Sequence, residues 1–143
     1  MLLLDIIAVA SITDENFGSL VLNSETLVLV EFFATWCATC ENLDSKMIEL
    51  ANDYAGEVKF FKLNVDDNRL APYTYEIQGL PTVIFFKNGE QRDRLLGNVP
   101  KTTFIKRMEQ NLWDGQKKTR LQLEVKAISS SQFYQIWMFC FLE

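Results

Sequence analysis

Residues 27–41 read LVLVEFFATWCATCE. The first eight are apolar except at Glu31, the pattern of a strand buried on both faces, as in a parallel sheet. From Cys40 the pattern changes. Leu43, Met47, Leu50 and Ala51 recur at helical spacing, with Glu41, Asp44, Ser45 and Asp53 between them and Gly56 as a stop. Cys37 therefore stands where a central strand gives way to a helix, with Trp36 immediately before it and Cys40 three residues on. Such a pair is a redox dithiol, half of a metal site, or two core cysteines.

Working outward, the apolar start MLLLDIIAVA reads as a first strand. It is short, has no basic leader and is interrupted by Asp5, so it does not read as a secretory signal. Residues 17–22 suggest a first helix capped by Thr13 or Asp14. VKFFKLNV at 58–65 is a further strand, and 67–77 is a short helix expected to break at Pro72. In 81–97, Asn88-Gly89 is the pair favoured in a two-residue type I′ turn, and strands flank it on both sides. Residues 102–112 form a last amphipathic helix, with Phe104, Ile105, Met108 and Leu112 on one face. Crossover helices imply parallel strands, and the hairpin adds an antiparallel end. The fold class is α/β: a central mixed sheet flanked by helices.

A domain is expected over 1–113, with a C-terminal extension over 114–143. The extension begins as a polar linker and passes through an alternating stretch at Leu121, Leu123 and Val125. It ends in FYQIWMFCFL at 133–142, which includes the third cysteine, Cys140. Ten residues are too few to span a bilayer as a helix, and no stretch approaches the roughly 20 needed. Three fates are open to this tail: loose docking on the domain, lack of order, or contact with a partner or a membrane surface.

The chain has 143 residues, 48% hydrophobic and 23% charged, which suits one domain with a real core. A net charge of −5 disfavours nucleic acid and anionic membranes as main partners. There are no histidines, which excludes histidine acid–base chemistry and histidine zinc sites. Three cysteines fall one short of a four-cysteine zinc site and are too few for a disulfide scaffold, so no metal is expected.

A helix N-terminus has unpaired N–H groups and a dipole that favour an anion. A thiolate is the nucleophile in disulfide exchange, so Cys37 is read as the attacking thiol. Cys40, one turn on, is read as the thiol that resolves the mixed disulfide. Cys40 must lose its proton to do so. Glu31 is costly to bury unpaired, and burial would suit it to give and take a proton near neutrality. The plainer readings of Glu31 are an exposed strand end or a structural pair with Lys62.

These residues resemble the thioredoxin family over roughly 6–112. The likeness rests on VLVEFFATWCATC, on KLNVD at 62–66, GLPT at 79–82 and FFKNGE at 85–90, and on Gly97, in order and at the right spacing. It implies a thioredoxin-like fold and a protein-disulfide reductase with no bound cofactor. Its partners would be disulfide-containing target proteins and an external thioredoxin reductase. Glu31 matches a family aspartate that serves proton transfer to the buried cysteine, and Lys62 matches a lysine near it. Pro81 matches a cis proline facing the dithiol, whose neighbours pair with substrate backbone. By this resemblance Trp36, Leu80 and Pro81 bind substrate, while Lys62, Ala38 and Thr39 support the site. Ala38-Thr39 replaces the family's usual Gly-Pro, Phe33 its first tryptophan, and Ser45 the proline that bends the active-site helix. None of these changes removes a reacting group.

The same chemistry run toward oxidation or isomerisation is a second reading. A third, of another class, is a binding or regulatory module on this fold with weak or no turnover. The dithiol suits a reducing compartment, and VEFFATWC and LGNVPKTTF resemble plastid thioredoxins, so the plastid stroma or the cytoplasm is expected.

Overall fold

The computed structural model describes residues 9–112. The expected boundary after Trp113, the extension 114–143, Cys140 and the first eight residues lie outside the described residues. The chain divides into two units, Met1–Met108 and Glu109–Glu143, and the fold described is that of the first.

Five strands form one sheet: β1 (Ala10–Ile12), β2 (Leu27–Phe33), β3 (Val58–Asn64), β4 (Thr82–Lys87) and β5 (Glu90–Leu96). Their order across the sheet is β1-β3-β2-β4-β5. β3 pairs in parallel with β1 and with β2, while β2 with β4 and β4 with β5 are antiparallel. The mixed sheet with flanking helices is the one the sequence implies. Of the expected first strand MLLLDIIAVA only Val9 and Ala10 are among the described residues, and Ala10 opens β1. Ile12, its one buried residue, fixes its register opposite Leu63.

β2 occupies the centre, and six of its seven residues are buried. Its side chains alternate between faces. Val28, Val30 and Phe32 join Ile12, Leu63, Ile84 and Phe86 in one core cluster. Phe17 and Val21 cover that face from α1 (Asp14–Phe17) and the π-helical turn Gly18–Leu22 that continues it, and Ala71 covers it from α3 (Leu70–Thr74). Each fully buried side chain of this kind contributes about 1.5–3 kcal/mol. Leu27, Leu29 and Glu31 point to the opposite face. There α2 (Ala38–Asp53) buries Leu43, Met47 and Leu50, and the helix over 101–112 (α4) buries Phe104 and Met108. Lys101 of α4 binds Glu49 at 3.2 Å and Asp53 at 3.0 Å, tying the two helices together.

Pro72 does not interrupt α3; it sits third in it. The first N–H groups of a helix have no partner within it, so a residue lacking one is tolerated there. The N–H groups of Arg69, Leu70 and Ala71 instead donate to the Asp14 carboxylate at 2.9, 2.9 and 2.8 Å. At the other end Arg94 donates to the carbonyls of Tyr75 and Glu76. The hairpin turn is as expected: Asn88 and Gly89 have φ of 54° and 78°, the positive values a type I′ turn requires.

Candidate active site

α2 begins at Ala38, two residues before the first sign of helical periodicity, with Cys37 as its N-cap. Cys37 and Cys40 form a disulfide across this first turn, with Cα atoms 5.3 Å apart. Sγ of Cys37 accepts a hydrogen bond from the Cys40 N–H at 3.2 Å. The N-terminal amide dipoles thus aim at the first sulfur, as the strand-to-helix reading requires. Both cysteines are buried, and with Ala34 they form a small apolar cluster against Phe33, Val65 and Leu80.

Trp36 is 72% exposed beside them. Its indole Nε1–H donates to Asp66 Oδ2 at 2.9 Å, and the Asp66 N–H donates to Asn64 Oδ1 at 2.9 Å. Asp66 is a site residue that sequence reasoning missed. Its only sequence signal is its place at the end of KLNVD, two residues past the end of β3.

The Leu80–Pro81 peptide is cis. Thr82 Oγ1 donates to the Gly79 carbonyl at 2.6 Å, and the Gly97 N–H donates to the Pro81 carbonyl at 2.8 Å, so both sides of the bend are held. Among the described residues, the N–H and C=O of Leu80 have no hydrogen-bond partner. A groove of about 500 Å³ joins this loop to the dithiol. Trp36, Cys37, Ala38 and Thr39 line one side of it, and Gly79 and Leu80 the other. Val65, Pro72, Ile77 and Gln78 complete the lining and were not foreseen. They come from α3 and from the segments on either side of it, which the fold brings to the mouth of β2.

Glu31 is fully buried, and neither carboxylate oxygen has a hydrogen-bond partner. This disposes of the exposed-strand-end reading. Lys62 stands opposite it in register on β3, yet its Nζ lies over the Phe33 ring, 5.3 Å from the centroid. No hydrogen bond ties the two. Burial, and then the charge of Asp44, push the Glu31 carboxyl up from 4.5 to about 8, while Lys62 pulls it down. At neutral pH Glu31 is therefore largely protonated in this disulfide state.

The arrangement has a thiol pair at a helix N-terminus, a proton-holding carboxyl beneath that helix, and a groove with unpaired backbone groups. It can exchange disulfides with an extended peptide. Among the described residues, no helix is long and apolar enough to cross a membrane.

The sequence profile described as Thioredoxin matches residues 8–110. The chloroplastic M-type thioredoxin of Pisum sativum is 44% identical over 98 residues, covering 68% of this chain and 57% of that protein. Chloroplastic thioredoxin M5 of Oryza sativa subsp. japonica is 46% identical over 90 residues, 63% of this chain and 52% of that protein. The chain thus spans about half the length of these plant relatives. Thioredoxin 1 of Nostoc sp. is 39% identical over 105 residues, which make up 73% of this chain and 98% of that protein. With the dithiol, the cis proline and the mixed sheet at the positions this profile spans, the chain belongs to the thioredoxin family.

Proposed function

We propose that the chain is a thiol–disulfide oxidoreductase that reduces disulfides in target proteins through Cys37 and Cys40. The observation that carries this reading is the Cys37–Cys40 disulfide closed across the first turn of α2, beside a groove that ends at cis Pro81. In the reduced protein, the Cys37 thiolate attacks one sulfur of a target disulfide. A Cys37–sulfur bond forms, the target S–S bond breaks, and its electron pair leaves on the second target sulfur, which takes up a proton. Cys40 then gives its thiol proton to the Glu31 carboxylate and attacks Cys37 Sγ. The bond between Cys37 and the target breaks, and the remaining target sulfur leaves as a thiolate and is protonated. Two electrons have passed to the target. An external reductase reverses the change.

The free N–H and C=O of Leu80 fit the backbone of an extended target segment, and the exposed Trp36 indole, anchored by Asp66, fits its apolar side chains. Ala38 and Thr39 bound the groove next to the attacking sulfur. Lys62 moderates the cost of charge on Glu31. A plastid stroma is the compartment this reading implies, in keeping with the chloroplastic relatives.

Turnover of insulin disulfides driven by dithiothreitol tests the proposal. Cys37→Ser should abolish catalysis, and Cys40→Ser should accumulate mixed disulfides. If the unaltered chain were no faster than Cys37→Ser, the fold would be serving as a binding module. Alkylation of Cys40 ahead of Cys37 in the reduced protein would overturn the roles assigned to the two thiols.

A further inference from the structure

Glu31 is a buried carboxyl without a hydrogen bond; burial does most to hold its proton, and the charges around it adjust that hold in either direction. Those charges can be named element by element. On β4 it faces Val83, which carries none. On β3 it faces Lys62. On α2 it feels Asp44. The two cysteines do not titrate while they are joined.

Asp44 is four residues after Cys40 in the uninterrupted α2, so the two share one face, a single turn apart. Cys40 is buried and Asp44 half-buried, which sets that face toward β2. One stripe of α2 therefore carries both the resolving thiol and a carboxylate that acts on Glu31. Among the described residues Asp44 has no ion pair or hydrogen bond through its side chain, so its charge is not spent on a cation. A half-buried like charge beside a buried carboxyl is a cost to the fold that an apolar residue would avoid.

We propose that Asp44 is a positioning residue of the resolving step, acting on Cys40 through Glu31. The inference rests on the reading of Glu31 as the group that takes the Cys40 proton. Repulsion from Asp44 makes ionised Glu31 a stronger base toward the Cys40 S–H. It also favours the product state, in which the disulfide is closed and Glu31 holds the proton. Lys62 works in the opposite sense. The site thus sets its proton transfer by two opposed charges on α2 and β3.

The oxidised protein allows a direct test, because there the infrared band of the protonated Glu31 carboxyl titrates without the thiols. In Asp44→Asn its midpoint should fall from about 8 by roughly half a pH unit or more. In Lys62→Met it should rise. Glu49→Gln removes the same charge from α2 at a residue paired with Lys101 and should leave it unchanged. The pH profile for resolution of a mixed disulfide should move with the carboxyl midpoint in Asp44→Asn, and Asp44→Asn should have no effect in a Glu31→Gln background. An unmoved carboxyl midpoint in Asp44→Asn, with resolution still slowed by Glu31→Gln, would overturn this inference alone. A midpoint that moves while the resolution profile stays still would overturn the role of Glu31 itself, and the inference with it.

Discussion

Glu31 concentrates the opposed demands of folding and chemistry in one residue. Its carboxyl is held at about 8, against 4.5 in the unfolded chain, with burial the largest cause. Between these values the folded state keeps a proton that the unfolded state has lost. Stability should therefore fall as pH rises from about 4.5 to about 8, at up to about 1.4 kcal/mol per pH unit from this group. Glu31→Gln should remove that slope and stabilise the protein at pH 8, while slowing resolution by Cys40. Denaturant titrations at pH 5 and pH 8 measure the first effect, and single-turnover kinetics the second. Equal slopes in the two proteins would mean that Glu31 reaches water. Glu31 was legible in the sequence as a carboxylate inside an apolar run. Asp44 was not, because a charged residue between apolar helix positions looks like any solvated face.

At the scale of elements, the groove depends on α3, and α3 depends on Asp14. That short helix takes its N-terminal cap from a residue 55 positions or more away in sequence. Asp14→Ala should cost about 1–2 kcal/mol. It should also raise the KM for a protein disulfide more than it lowers kcat, since Pro72 and Ile77 of the groove move with α3. Although partial burial raises the Asp14 carboxyl, the hydrogen bonds from Ala71, Leu70 and Arg69 outweigh it and hold the group below its ordinary 3.8. Its contribution is present above that value and disappears as pH falls through the lower folded value, so Asp14→Ala should lose less stability in strong acid than the unaltered chain does. The hairpin offers a second comparison. Gly56 and Gly89 both have positive φ, 83° and 78°, but a Cβ at Gly56 meets open space and one at Gly89 would lie 2.9 Å from the Leu22 carbonyl oxygen. Gly56→Ala should cost roughly 1–2 kcal/mol of backbone strain. Gly89→Ala should cost more, since the turn must also move off the end of the π-helical segment. Equal costs in chemical denaturation would show that the hairpin tip yields freely.

At the scale of the molecule, the family profile ends at residue 110, and 105 residues of this chain match nearly the whole of the Nostoc protein. A chain ending at Trp113 should therefore fold cooperatively and retain disulfide reduction within about twofold of the full length, with less aggregation. Differential scanning calorimetry and the insulin assay check this together. Loss of a single cooperative transition would make residues 114–143 part of the core and move the domain boundary.

The sequence by itself determined the elements whose cause is local. The apolar run at 27–34 defines β2, helical spacing defines α2 and α4, and Asn88-Gly89 defines the turn between β4 and β5, because each depends on neighbours within a few residues. The same local logic put the dithiol at a helix N-terminus. Tertiary structure decided the rest: the strand order β1-β3-β2-β4-β5, the Asp14 cap on α3, the Asp66 anchor on Trp36, and the opposed effects of Asp44 and Lys62 on Glu31. Each of these joins residues far apart in the chain. The hydrogen bonds of Asp14 and Asp66 and the burial of Glu31 all need partners that only the closed sheet brings together.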